Sequence, residues 1–155
     1  CVETVASATG IARLARERLD KELVANPRQA KASPLFTLCD GQLERITAEQ
    51  VATAVEQGDA VATCAWNEAC EVTGWALSVL VNVCNPQLVV IGGGVCRAGE
   101  LLLAPVQASV QKYAMDVVHQ QTKIVLAELG ADAGMLGAGA LALQATNREQ
   151  GTVKL

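Results

Sequence analysis

From Val5 onward the apolar positions Val5, Ala8, Ala12, Ala15, Leu19 and Leu23 recur at spacings of three and four, while Arg13, Arg16, Glu17, Asp20 and Lys21 take the other side. That period predicts a helix with one buried stripe. Glu17 and Lys21 form an i, i+4 pair in the favourable order, worth only ~0.2–0.5 kcal/mol, so the stripe and not the charges must hold the helix. Residues 26 to 46 contain Asn26-Pro27, Ser33-Pro34 and Asp40-Gly41. These are breaker and turn signals, and the segment reads as a loop insertion with room for one short helical turn.

Thr47 followed three residues later by Gln50 is a capping box, which predicts a helix running to about Gln57. Gly58 suits the left-handed position past its end, and Asp59 is a good N-cap for the next helix. That helix extends over about 60 to 83 and is apolar around most of its circumference, the pattern of a buried element. Asn85-Pro86 ends it.

Leu88-Val89-Val90-Ile91 is a continuous apolar run of the kind found in strands buried on both faces, and it leads straight into Gly92-Gly93-Gly94. A helix is expected from about 99 to 117, with Pro105 tolerable only if the helix begins or kinks near it. A second short strand follows over 123 to 127. Asp132 can cap a last helix through Met135, Leu136, Ala140, Leu141 and Leu143. The order predicts an α/β fold with a parallel strand pair joined by a right-handed crossover. Two strands make a poor free-standing sheet, so further strands from upstream or from another chain are expected.

The 155 residues fit one domain, large enough to bury about 70% of its unfolded surface. The chain is 51% hydrophobic, 18% charged and 3% aromatic, which excludes a disordered polymer and makes Ala, Val and Leu the core formers. Twelve Lys and Arg stand against sixteen Asp and Glu without a basic cluster, so no nucleic-acid partner is expected. The longest apolar stretch, 72 to 84, is interrupted by Thr73, Gly74, Ser78 and Asn82 and is too short to cross a bilayer. Six cysteines lie at 1, 39, 64, 70, 84 and 96 with no C-x-x-C pair, and they read as reduced, buried small hydrophobes of a cytoplasmic protein, Cys1 excepted. Because the chain opens inside an amphipathic pattern at Cys1, further sequence upstream is expected.

Three glycines after a strand let the backbone take positive φ and come close to a ligand, and the helix that follows offers free N–H groups. A nucleotide would suit this turn, yet a tight turn serving helix packing fits as well. Arg97 stands where G-x-G-x-x-G has its third glycine, and no Gly-Lys-Ser/Thr closes a Walker loop. Gly130, Gly134, Gly137 and Gly139, interleaved with alanines, strip the start of the last helix of bulk. Close packing is the favoured reading, and a wall for a flat ring is the alternative. His119, the one histidine, lies in a polar stretch and reads as a solvated loop residue, which leaves no Ser/His/Asp or Cys/His set.

Three ordered motifs, Asn85-Pro86-Gln87-Leu88-Val89-Val90-Ile91-Gly92-Gly93-Gly94-Val95, the later 128 to 138 segment ELGADAGMLGA, and the opening Cys1-Val2-Glu3-Thr4-Val5-Ala6-Ser7, resemble the C-terminal part of ROK-family sugar kinases. Gly58-Asp59 before the long helix also fits. The resemblance implies a partial actin-like ATPase (ribonuclease H-like) C-terminal lobe over residues 1 to 155, its N-terminal lobe absent, from a glucokinase-like enzyme that uses ATP and Mg²⁺. It implies that Gly92, Gly93 and Gly94 line the adenosine side of ATP. The family pattern C-x-C-G-x-x-G-C-x-E ends on Cys1-Val2-Glu3, so Cys1 matches a structural zinc thiolate and Glu3 a sugar-hydroxyl contact. The other zinc cysteines, the phosphate loop and the general base lie upstream of Cys1 in the family, so this chain alone is expected to be catalytically silent and to hold no cofactor stably. A homodimer is expected, and an effector-domain fragment of a sugar-responsive ROK repressor is the alternative parent.

Overall fold

A computed structural model describes residues 1–130 and 133–151. Nine helices and two strands are found among them: α1 (Glu3–Ala6), α2 (Ala8–Ala25), α3 (Pro27–Lys31), α4 (Pro34–Leu38), α5 (Ala48–Glu56), α6 (Ala60–Cys84), β1 (Leu88–Ile91), α7 (Glu100–Tyr113), α8 (Asp116–His119), β2 (Lys123–Leu126) and α9 (Ala133–Gly151). The strands pair in parallel, Leu88 opposite Lys123 through Ile91 opposite Leu126, with α7 and α8 in the crossover between them.

The first periodic stretch is broken at Ser7, whose extended backbone and side-chain oxygen cap α2 by accepting from the Gly10 N–H. The buried stripe of α2 runs through Ile11, Ala12, Leu14, Ala15 and Leu19, while Ala8 is exposed. Glu17 pairs with Arg13 at 2.6 Å rather than with the expected Lys21. Both orders satisfy the i, i+4 rule, and Arg13 gains a second bond to the Thr4 carbonyl at 3.0 Å, which decides the choice.

Residues 26 to 46, expected as a loop with one helical turn, hold α3, α4 and a 3₁₀ turn at Leu43–Arg45. The Asn-Pro and Ser-Pro pairs act here as starts rather than breaks. Pro27 and Pro34 sit in the first helical turn, where a missing N–H costs nothing. Asp59, 3% exposed, holds this segment to the long helix. One carboxylate oxygen caps α6 by accepting from the Ala62 N–H at 2.8 Å; the other accepts from the Leu35 N–H at 3.0 Å and from the Ser33 hydroxyl. A buried carboxylate with three donors is satisfied, and removing it would leave those donors stranded.

Helix α6 buries Ala62, Ala65, Trp66, Ala69, Cys70, Gly74, Ser78 and Val81, and ends where its sequence predicts, at Asn85, which takes φ +43. Its apolar circumference is only half covered, since Trp75, Val79, Leu80 and Val83 are exposed among the described residues. The same correction applies to β1, expected to be buried on both faces: Leu88 and Val90 are more than half exposed. The sequence encodes two apolar faces, and the described part of the chain covers one.

Helices α6 and α7 cross at Gly74. A Cβ there would lie 2.3 Å from the Ser109 Cβ and 2.8 Å from the Val106 carbonyl oxygen. Beside the crossing, the Ser109 hydroxyl donates to the Glu71 carbonyl at 2.9 Å. The Lys112 ammonium and the Tyr113 hydroxyl both reach Glu71 Oε1 at 2.7 Å and hold its carboxyl below the usual range.

Of the two expectations for Pro105, a helix that begins near it or one that kinks there, the start is excluded, since Pro105 sits inside α7, and its missing N–H releases the carbonyl of Leu101 four residues earlier. The Trp66 indole N–H donates to that carbonyl at 2.9 Å. A tertiary donor thus replaces the helical one.

The expected cap of α9, Asp132, lies outside the described residues. The close packing expected of its small face is not seen there: an added Cβ at Gly134, Gly137 or Gly139 would meet nothing within 4 Å.

Gly74→Ala should therefore lower stability by roughly 1–3 kcal/mol, because backbone must move to admit the methyl. Gly137→Ala should be neutral or stabilising by about 0.5–1 kcal/mol through helix propensity. Thermal melts of the two variants beside the parent chain check both signs.

Candidate functional site

A cleft of about 400 Å³ lies between α5 and the turn that follows β1. One wall is α5 and its N-cap, from Thr47 and Ala48 through Ala52 and Thr53 to Glu56; the other is Gly94, Val95, Arg97 and Ala98; Ala8 and the buried Trp66 at the floor complete the lining. The Trp66 ring is nearly all packed, 1% exposed. Apolar walls with charged edges at Glu49, Glu56 and Arg97 suit a flat ligand with a polar rim, and the volume is within the range of small-molecule sites.

Local chemistry fixes each wall. The capping box is present: the Thr47 N–H donates to Gln50 Oε1 at 3.0 Å and the Gln50 N–H to Thr47 Oγ1 at 3.2 Å. The Gln50 amide then donates to the Leu38 carbonyl at 2.8 Å, joining α5 to α4. Opposite, residues Gly94–Ala98 form a 3₁₀ turn between Gly93 at φ +106 and Gly99 at φ +57, two conformations that favour glycine. The turn is closed by the Cys96 N–H to the Gly93 carbonyl at 3.1 Å and by the Cys96 thiol to the Ile91 carbonyl at 3.3 Å.

The three glycines differ in what the fold asks of them. A Cβ on Gly92 would meet the Ala127 Cβ at 3.8 Å, an ordinary contact. Gly93 needs its positive φ. Gly94 has neither constraint: its φ is unexceptional and nothing lies within 4 Å of an added Cβ. All three are exposed, so the turn is not filled by its own neighbours and helix packing does not account for it.

Of the five candidate site residues read from sequence, Cys1, Glu3, Gly92, Gly93 and Gly94, only Gly94 is among those lining the cleft. Cys1 and Glu3 are exposed at α1, which is joined to α2 through the Arg13 bond to Thr4. Cys1 stands without partners for a zinc site, since no group of three His, Cys, Asp or Glu side chains placed to hold a metal occurs among the described residues. A single terminal thiolate does not fit a four-ligand structural site. His119, expected in a loop, ends α8 half-buried beside Gln107, Gln111 and Lys123, in a groove distinct from the cleft.

Sequence reading missed the α5 wall, Trp66 and the role of Arg97. A tryptophan within an alanine-rich helix was the available signal for the floor. The cysteines also divide more evenly than expected: Cys39, Cys70 and Cys96 are buried, while Cys64 and Cys84 are exposed with Cys1. Burial pushes the Cys70 thiol up to about 12 and raises that of Cys96, so both stay protonated.

The model of the ROK family matches residues 1–145. The chain belongs to the ROK family. This ROK chain is 38% identical over 147 residues to a glucokinase of Halalkalibacterium halodurans, an alignment that covers 95% of it and 42% of that relative. It superposes with a TM-score of 0.79 and 31% identity on the crystal structure of a ROK family glucokinase from Streptomyces griseus in complex with glucose and AMPPNP, covering 93% of this chain and 45% of that one. Similarity also extends to the DNA-binding transcriptional repressor Mlc of Escherichia coli, 25% identical over 138 residues, 89% of this chain and 30% of the repressor. The ROK chain therefore spans under half the length of the relatives it matches. Its helix-rich body with a parallel strand pair is part of the actin-like ATPase fold of ROK sugar kinases.

Among the described residues no helix is long and apolar enough to cross a membrane. Titration of the native chain with a thiol reagent should show three fast thiols, Cys1, Cys64 and Cys84, with the other three reacting only in denaturant. A fast thiol count of five or six would contradict the burial of Cys39, Cys70 and Cys96.

Proposed function

We propose that this chain is the C-terminal lobe portion of an ATP-dependent hexose kinase of the glucokinase type, supplying the adenosine side of its nucleotide pocket. The observation that carries the reading is the exposed glycine turn facing α5, where Gly94 lacks a side chain that the fold itself would have accommodated. The glucose and AMPPNP bound in the Streptomyces griseus relative support the same assignment. In this reading Gly92, Gly93 and Gly94 admit the nucleoside to backbone contact, and the charged rim orients its polar edge.

Glu3 as a sugar contact and Cys1 as a zinc thiolate belong to this proposal through the family pattern alone. Mg²⁺, when bound, would neutralise the transferring phosphates. The described residues hold no carboxylate cluster for it, and the chain's own part is to bind and orient the nucleoside. A cytoplasmic location and a homodimer complete the reading, the dimer supported by the exposed Trp75, Val79 and Val83 of α6.

The effector part of a sugar-responsive ROK repressor is the second reading, favoured by the similarity to Mlc. Nucleotide binding separates the two. Saturation-transfer NMR should detect weak, saturable binding of AMPPNP to the 155-residue chain, and Gly94→Val should weaken it by about tenfold through steric exclusion without lowering the melting temperature. Absence of binding would contradict the nucleotide reading of the cleft. In a coupled assay, glucose-dependent ADP release by the chain alone should stay at background, because transfer needs phosphates, metal and acceptor aligned together. Turnover above background would refute that expectation.

A further inference from the structure

We propose that Trp66 is a positioning residue for the nucleotide, acting through its indole bond to the Leu101 carbonyl that Pro105 leaves free. This rests on the nucleotide reading of the cleft and adds to it the device that sets the distance between the two walls. The ring lies at the cleft floor on α6, and its N–H reaches the second residue of α7. Between that anchor and the Gly94–Ala98 wall stand Gly99, with φ +57, and Glu100, the first residue of α7. A swing of the turn about Gly99 is limited at one end by the Cys96 bonds to Ile91 and Gly93, and at the other by Leu101. With the Leu101 anchor released, the second wall keeps its backbone bonds, from the Gly99 N–H to the Cys96 carbonyl and from the Leu102 and Leu103 N–H groups to the Gly99 carbonyl, but loses its hydrogen-bonded tie to the ring on α6.

Pro105 makes the bond separable from the fold. An ordinary residue at 105 would donate its own N–H to Leu101 and make the indole unnecessary for satisfying that carbonyl. Trp66→Phe strands the carbonyl and should lower the melting temperature. Trp66→Phe with Pro105→Ala satisfies it again from within the helix and should recover part of that loss. Under the positioning role the double variant regains stability but still binds AMPPNP about tenfold more weakly than the parent chain, the cost of losing one well-placed hydrogen bond to the helix that follows the wall. The amide protons of Cys96 and Gly99 should also exchange faster in it.

Recovered stability together with parental AMPPNP affinity and parental exchange would overturn the proposal and leave Trp66 as core packing. A double variant that melts no higher than Trp66→Phe would overturn it too, since the Leu101 carbonyl would then not be what the indole serves. If the parent chain itself binds no AMPPNP, the nucleotide reading fails first and takes this inference with it; binding by the parent with no loss in the double variant defeats the inference alone.

Discussion

Helices α6 and α7 meet at a place where α6 can carry no side chain, because Ser109 of α7 already fills the space. Gly74 lets the two helices approach closely, and α7 takes its position from that crossing. The N-terminal half of α6 carries the opposite wall, because Asp59 caps α6 while gripping the start of α4, and Gln50 joins α4 to α5. The cleft is thus the gap between two groups of elements mounted on one helix. Widening the crossing by one methyl would be felt as a change in that gap.

Local rules written in consecutive residues were legible: the Thr47 and Gln50 capping box, Gly58 with positive φ before Asp59, the end of the long helix at Asn85-Pro86, and the Leu88–Ile91 strand running into glycine. Each depends on backbone chemistry within a few residues. The proline pairs of 26 to 46 were harder, because Asn-Pro and Ser-Pro can stop a helix or start one, and at Ser33-Pro34 the buried Asp59 some two dozen residues away holds the helix start. The Arg13 pairing was likewise settled by a backbone carbonyl in α1.

The candidate site was legible only on its glycine side. Gly93 announces itself because strained backbone needs a particular residue type, whereas the α5 wall is built from ordinary alanines and threonines whose role arises only when two elements meet. Pro105 and Trp66 are the sharpest case. Read along the chain, the proline argues against a continuous helix; in the fold its lost hydrogen bond is replaced by an indole 39 positions earlier. The exposed faces of β1 and α6 follow the same logic in reverse, since their composition records burial that the described residues do not provide.

The most direct test of the open glycine turn as a nucleotide cradle is an amide chemical-shift map of the ¹⁵N-labelled chain on addition of AMPPNP. Shifts concentrated at Gly92, Gly93 and Gly94 and at the facing residues of α5 are the predicted result. Shifts confined to the groove around His119, or scattered with no focus on the turn, would contradict it.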